Sequence, residues 1–227
     1  MTIPSPSVTR LIRYLDILEA MELAGTLQTH SAELAQQAQV TAFQVRKDLS
    51  FVTHSGTRGK GYSVPLLRRQ LSCALGLQTP QAVVIVGLGR LGQALAHFPL
   101  AATAPFYYAA FFDISPKIVG RTVGGLPVHH LRDLPAVLEQ QPVQMALLAV
   151  PSAQAQAAAD ELIAAGIRNI LNLTGTVLHV PNPGDEKYDN SHNSCHTVSI
   201  ENIDFLAGMK QLAYRAQQPT QPEVEEL

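Results

Sequence analysis

Cysteine is nearly absent: the 227 residues hold two, Cys73 and Cys195. So sparse a pair excludes a disulfide scaffold and predicts a reducing compartment. Long apolar runs are missing as well. No stretch approaches the roughly 18 residues that span a bilayer, and no charged-then-apolar leader opens the chain. The expectation is a soluble, cytoplasmic protein with no membrane partner. Charge is thin, 15% of residues with a formal net of −2, so the chain as a whole does not read as a nucleic-acid binder. No internal repeat is present. What is there is apolar: 46% of residues, enough to build a core in one large or two modest domains.

The average conceals an asymmetry. Residues 1–79 carry eight Lys/Arg against five Asp/Glu, whereas residues 80–227 carry eight against thirteen. Residues 40–70 alone hold six basic groups and one acid, Asp48. A local positive patch draws phosphates more than the global pI does.

Helical spacing runs through Val8–Leu23, with Val8, Leu11, Leu15, Leu18 and Met21 on one face and Gly25 as the stop. Ser31–Gln39 reads as a second helix with Ser31 as N-cap. Thr41–Phe51 reads as a third, opening on a capping box of Thr41 and Gln44. Its Ala42, Val45 and Leu49 face inward. Gln44, Lys47 and Asp48 face outward, with Arg46 and Ser50 on a flank. Ser55–Tyr62 (SGTRGKGY) places three glycines in six residues, which suits a tight basic hairpin. Three short helices and such a hairpin predict a winged helix-turn-helix. Gln44, Arg46, Lys47 and Ser50 suit base edges and phosphates, and Arg58 and Lys60 would sit at the hairpin tip, Arg58 entering the minor groove. Pro65–Leu77 is a further helix, and Thr79–Pro80 the expected boundary.

From Ala82 the pattern changes. Ala82–Val86 is an apolar run of the buried parallel-strand type. Gly87-Leu88-Gly89-Arg90-Leu91-Gly92 follows, then a helix through Phe98. Strands are expected at 107–112, 145–150 and 169–173, and helices at 131–140 and 153–165. That alternation predicts an α/β doubly wound sheet. The glycine loop lies between strand and helix, and Asp113 ends the next strand 21 residues after Gly92. This context marks a dinucleotide site. Gly87 permits the turn, Gly89 the approach of a pyrophosphate, and Gly92 helix-strand packing, with the helix N-terminus supplying amides. Asp113 would accept from ribose hydroxyls and repel a 2′-phosphate, favouring NAD(H), while Lys117 and Arg121 soften that preference.

A DNA-reading head joined to a dinucleotide-binding body resembles the Rex family of redox-sensing transcriptional repressors. The motifs that carry the resemblance are VTAFQVRKDLS, GTRGKGY, GLGRLG, FFD, AVP at 149–151, AAGIRNILNL and NIDFLAG. It implies a winged-helix domain over 1–79, a Rossmann NAD(H)-binding domain over 80–201, a swapped C-terminal helix over 202–217 and a disordered tail over 218–227. It implies a homodimer without enzyme activity that represses transcription and leaves operator DNA when NADH binds. The implied cofactor residues are the loop 87–92, Phe98, Asp113, Ile114, Lys117, Val150, Pro151, Asn172, Thr174 and Asp204. The implied DNA contacts are Arg10, Gln44, Arg46, Lys47, Ser50, Arg58, Gly59, Lys60 and Tyr62.

The chain departs from the family pattern at Phe98, where relatives carry a tyrosine beside the nicotinamide. It departs again at Asp16, where some members carry an arginine that pairs with the aspartate matched by Asp204; Arg13, one turn earlier, would substitute. NADH binding with a rewired switch is the consequence expected. The insert Asn182–Thr197 offers His192, Cys195 and His196 with Asp185 or Asp189, but its spacing matches no standard zinc site, and no metal is expected. Three other functions stay open: an NAD-dependent dehydrogenase with His179 as base, a CoA-binding module, and a regulator deaf to redox state.

Overall fold

The structure, a computed structural model, describes residues 3–53, 61–100, 105–180 and 198–217. The chain divides into two compact units, Met1–Pro80 and Gln81–Leu227.

The first unit is built on α1 (Ser5–Leu23), β1 (Gln28–Thr29), α2 (Ser31–Ala38), α3 (Ala42–Leu49), β2 (Tyr62–Ser63) and α4 (Val64–Ala74). Leu11, Tyr14, Leu15, Leu18 and Met21 of α1 recur at helical spacing and are buried against Leu34, Val45, Leu49, Leu67 and Leu71. Gly25 takes the left-handed conformation (φ +78°) after α1, and the amide of Thr26 returns to the carbonyl of Met21, which stops the helix. Two cap expectations are corrected. The residue preceding α2 is His30, so Ser31 is inside the helix and caps nothing. Thr41 does cap α3, its hydroxyl accepting from the Gln44 amide at 3.1 Å, but the Gln44 side chain turns to Asp48 instead of completing a capping box. β1 and β2, both unforeseen, pair antiparallel with Thr29 opposite Tyr62. The ladder ties β2 to the segment between α1 and α2; residues 54–60 of the expected hairpin lie outside the described residues. Gly61 (φ +72°) is obligatory there, because a Cβ would lie 2.5 Å from the Thr29 carbonyl oxygen.

The second unit runs β3 (Gln81–Val86), α5 (Arg90–Ala96), β4 (Phe106–Asp113), β5 (Thr122–Val123), β6 (Leu126–His130), α6 (Leu134–Gln140), β7 (Met145–Leu148), α7 (Ala155–Ala164), β8 (Asn169–Asn172), β9 (Ser199–Asn202) and α8 (Phe205–Ala216). The sheet order is β5-β6-β4-β3-β7-β8-β9. All neighbours are parallel except β5, which pairs antiparallel with β6 at the edge. This is the doubly wound order, whose direction reverses at β3 and opens a crevice at the strand carboxyl ends. Val83–Val86 are all buried, as a central parallel strand requires. Val84, Val86, Phe112 and Leu148 face α7 residues Ala158, Ala159 and Leu162. Ile85, Phe111 and Leu147 face Ala96 of α5. Alanines along α7 let it approach the sheet closely.

Candidate nucleotide cavity and nucleic-acid face

In the second unit the carboxyl ends of β3, β4 and β7 surround a cavity of about 630 Å³. Its wall includes Gly87, Gly89, Asp113, Ile114, Val150 and Pro151. The glycines divide the work. Gly87 (φ +95°) has no room for a Cβ, which would meet the Ala149 carbonyl oxygen at 2.6 Å. A Cβ on Gly92 would lie 1.9 Å from the Gly87 carbonyl oxygen, so this position packs α5 against the loop. A Cβ on Gly89 would meet no atom within 4 Å, so the middle glycine leaves open space for a ligand.

Asp113 ties the loop to β4. Its Oδ2 accepts from the Leu88 amide at 2.6 Å and its Oδ1 from the Ser115 amide at 2.7 Å. Each oxygen keeps a second lone pair, which a ribose hydroxyl can use. The flanking wall is apolar, from Ile114, Ile118, Leu131, Val150 and Ala158, and has the polarity that suits a base. An adenosine dinucleotide fits this set: open backbone at Gly89 for the pyrophosphate, a carboxylate at ribose distance from the loop, and an apolar slot beyond. Leu131, Gln154 and Glu161 line the same cavity and escaped the sequence reading. They come from the turn after β6, the turn before α7 and α7 itself, and only the folded crossover brings them to Asp113.

Several expected cofactor residues stand outside this wall. Leu88 is buried in the core beneath it, and Arg90, Leu91 and Lys117 are exposed. Phe98 borders a separate depression of about 400 Å³ with Tyr107 and Tyr108. Asn172 also stands outside the wall. It is 1% exposed, and its amide nitrogen donates to the Thr176 carbonyl and Asn202 Oδ1, both at 2.7 Å. Its oxygen accepts from the amide and hydroxyl of Thr174. Every bond the Asn172 side chain can make is used internally, so with Thr174 it locks the end of β8. Asp204 caps α8, accepting from the Ala207 amide at 2.9 Å.

In the first unit, Arg46, Lys47 and Ser50 are exposed on α3. Arg46 reaches Ser31 Oγ at 3.1 Å, and the Ser50 hydroxyl donates to the Lys47 carbonyl at 2.7 Å. Asp48, expected on the outer face, is 0% exposed. Arg10 Nε and Nη2 donate to its two oxygens at 2.6 and 2.8 Å, Tyr14 at 3.0 Å and Gln44 Nε2 at 3.0 Å. Burial alone would push this carboxyl up, but the bonds from Arg10, Ser7, Gln44 and Tyr14 prevail and hold it below the ordinary range. The bond to Asp48 raises Arg10 further. Burial and then the same carboxylate push Tyr14 up to about 12. Arg10 and Gln44, both expected on DNA, are therefore bound to Asp48 inside the unit. Arg13 also has an internal partner, donating to the Ala38 carbonyl at the end of α2. Arg58, Gly59 and Lys60 lie outside the described residues, as does the insert 182–197. Among the described residues no cluster of His, Cys, Asp or Glu could hold a metal ion, and no helix is long and apolar enough to cross a membrane.

Two family models match the chain: "Putative DNA-binding protein N-terminus" over residues 2–50 and "CoA binding domain" over residues 78–176. The redox-sensing transcriptional repressor Rex of Thermus thermophilus is 45% identical over 219 residues, 96% of this chain and 96% of its own length. That of Deinococcus radiodurans is 44% identical over 226 residues, 93% of this chain and 92% of its own. Among solved structures, RSP in complex with β-NAD⁺ and operator DNA aligns with a TM-score of 0.84 at 28% identity, over 95% of this chain and 93% of that one. RSP in complex with β-NADH aligns with a TM-score of 0.78, over 95% of both.

Proposed function

The chain belongs to the Rex family of redox-sensing transcriptional repressors, and from that premise we propose that it grips operator DNA and lets go when NADH fills the cavity at Gly89 and Asp113. The observation that carries this reading is the pairing, in one chain, of an α3 that exposes Arg46 and Lys47 with a doubly wound sheet whose loop is open at Gly89. Asp113 selects the unphosphorylated ribose, because a 2′-phosphate beside its carboxylate is repelled. If NADH weakens DNA binding, DNA weakens NADH binding by the same factor.

The protein works by binding and not by turnover, in the cytoplasm with the chromosome it reads. It acts as a homodimer. α8 supports this, since Phe205, Leu206, Met209, Leu212 and Tyr214 are all exposed on it, too much apolar surface for a lone helix. Arg46, Lys47 and Ser50, with the hairpin residues Arg58, Gly59 and Lys60, contact DNA. Arg10 and Gln44 position α3. A CoA-binding module is the second reading, favoured by the family model over 78–176. It leaves the DNA-reading head without a task.

The test is a gel shift on duplexes that the protein itself enriches from a randomised pool, with NAD⁺ and NADH added separately. Release by NADH at concentrations where NAD⁺ leaves the complex intact is expected. Equal behaviour with both cofactors overturns the sensor reading, and release by CoA alone favours the second.

A further inference from the structure

On α3 one stripe is open to solvent, and it is not the one the sequence pattern suggested. Phe43, Arg46, Lys47 and Ser50 stand at i, i+3, i+4 and i+7, which places them on a single helix face. Gln44 and Asp48 turn away from it toward α1. Phe43 opens the stripe with 68% of its surface exposed, in the first turn, two residues after the Thr41 cap.

We propose that Phe43 is a specificity-determining residue that packs against the C5-methyl of a thymine in the major groove. The inference rests on the DNA-binding reading above and adds to it the base feature that is read. Charge and shape commit the occupant. A lone aromatic ring flanked by Arg46 and Lys47 is a small apolar spot inside a cationic stripe. A protein partner with a broad apolar face would leave both cations unmatched. A duplex groove matches them, with phosphates on either side and a single apolar group, the thymine methyl, on its floor. Register follows from helix pitch. Phe43 and Lys47 lie one turn apart, about 5–6 Å along the axis, and base pairs stack at about 3.4 Å. The thymine read by Phe43 therefore lies within about two base pairs of the pair that Lys47 contacts.

The operator sequence is found by the protein itself. The full-length chain enriches duplexes from a pool randomised at the centre, and the enriched duplex is remade with deoxyuridine replacing thymidine one position at a time. Loss of one buried methyl should weaken wild-type binding roughly 4-fold at one such position, with the others unaffected. Phe43→Ala should bind the thymidine and deoxyuridine duplexes equally, and Phe43→Leu should keep most of the difference. Because the ring is exposed, thermal unfolding of both variants should match wild type. Three results overturn the inference: no thymidine sensitive to its methyl in wild type, an undiminished methyl preference in Phe43→Ala, or a changed sedimentation mass in that variant, which would assign the ring to a protein contact. Failure of wild type to enrich any sequence is a different result and removes the DNA-binding reading itself.

Discussion

Arg10 of α1 holds Asp48 of α3 through two parallel N–H···O bonds, 2.6 and 2.8 Å long, across 38 residues of chain. Such a forked pair fixes direction as well as distance. Tyr14, one turn along α1, and Gln44, one turn back along α3, donate to the same carboxylate. The rotation of α3 about its own axis is thereby set from beneath, and that rotation decides that Phe43, Arg46, Lys47 and Ser50 face solvent.

Asp48→Asn should destabilise the first unit by roughly 2–4 kcal/mol, since it leaves Arg10 partly buried and facing a neutral amide. The lower end is favoured because the Arg10 side chain keeps a quarter of its surface in solvent. Arg10→Ala should cost a similar amount, and the double variant little more than either single one. Chemical denaturation of the four proteins checks this. Additive losses would mean that the two residues act separately. DNA affinity should fall in Asp48→Asn without any direct contact having been removed.

The same cluster sets a pH dependence at both ends. The folded Asp48 carboxyl lies below its ordinary value, so its contribution is present above about pH 4 and is lost as pH falls through the folded value. Tyr14 is raised to about 12, so its neutral form contributes below about pH 10, and that contribution is lost between about pH 10 and 12. Melting temperature against pH should show both limbs in wild type. In Asp48→Asn the acid limb should shrink and the alkaline limb should move to lower pH, because Tyr14 has lost its charged acceptor.

Signals carried by neighbours in sequence were legible before folding. The apolar run at 82–86, the loop 87–92 and Asp113 lie close together along the chain, and each has a fixed meaning beside a strand. Thr41 as a cap is likewise local. Ladders of two to four residues were not legible, as at Gln28–Thr29 and Ser199–Asn202, because their hydrogen bonds belong to strands elsewhere and their side chains carry no alternation. Asp48 was misread because a carboxylate on an amphipathic helix is ordinarily solvated. Its position was the available clue, three residues after Val45 and beside Leu49, within the buried stripe. Asn172 was only partly legible for the opposite reason: its strand-end position suits a ligand contact, and only the folded turn at 173–176 shows the bonds its side chain makes within the chain.

Asn172→Ala separates those two roles. As a lock between β8, the following turn and Asn202, the side chain should cost roughly 1–3 kcal/mol when removed, because the half-buried Thr174 and Thr176 lose their partner. NADH affinity should change little beyond what that loosening explains. A variant with wild-type stability and a large loss of NADH binding would restore Asn172 to the cofactor.

The glycine loop should yield opposite signatures at adjacent sites. Gly87→Ala forces a Cβ to 2.6 Å from the Ala149 carbonyl at a φ of +95°, so it should lower stability by about 1–3 kcal/mol. At Gly89 a Cβ meets no protein atom within 4 Å and φ is −67°, outside the left-handed region, so Gly89→Val should cost far less stability than Gly87→Ala. Its isopropyl group instead enters the space beside Asp113. NADH binding, followed by the fluorescence of the reduced cofactor, should fall at least tenfold, since a branched side chain occupies the approach that only glycine leaves free. The DNA complex of this variant should then persist at NADH concentrations that dissolve the wild-type complex. A Gly89→Val protein that binds NADH normally would mean that the cavity between β3, β4 and β7 is not where the cofactor sits.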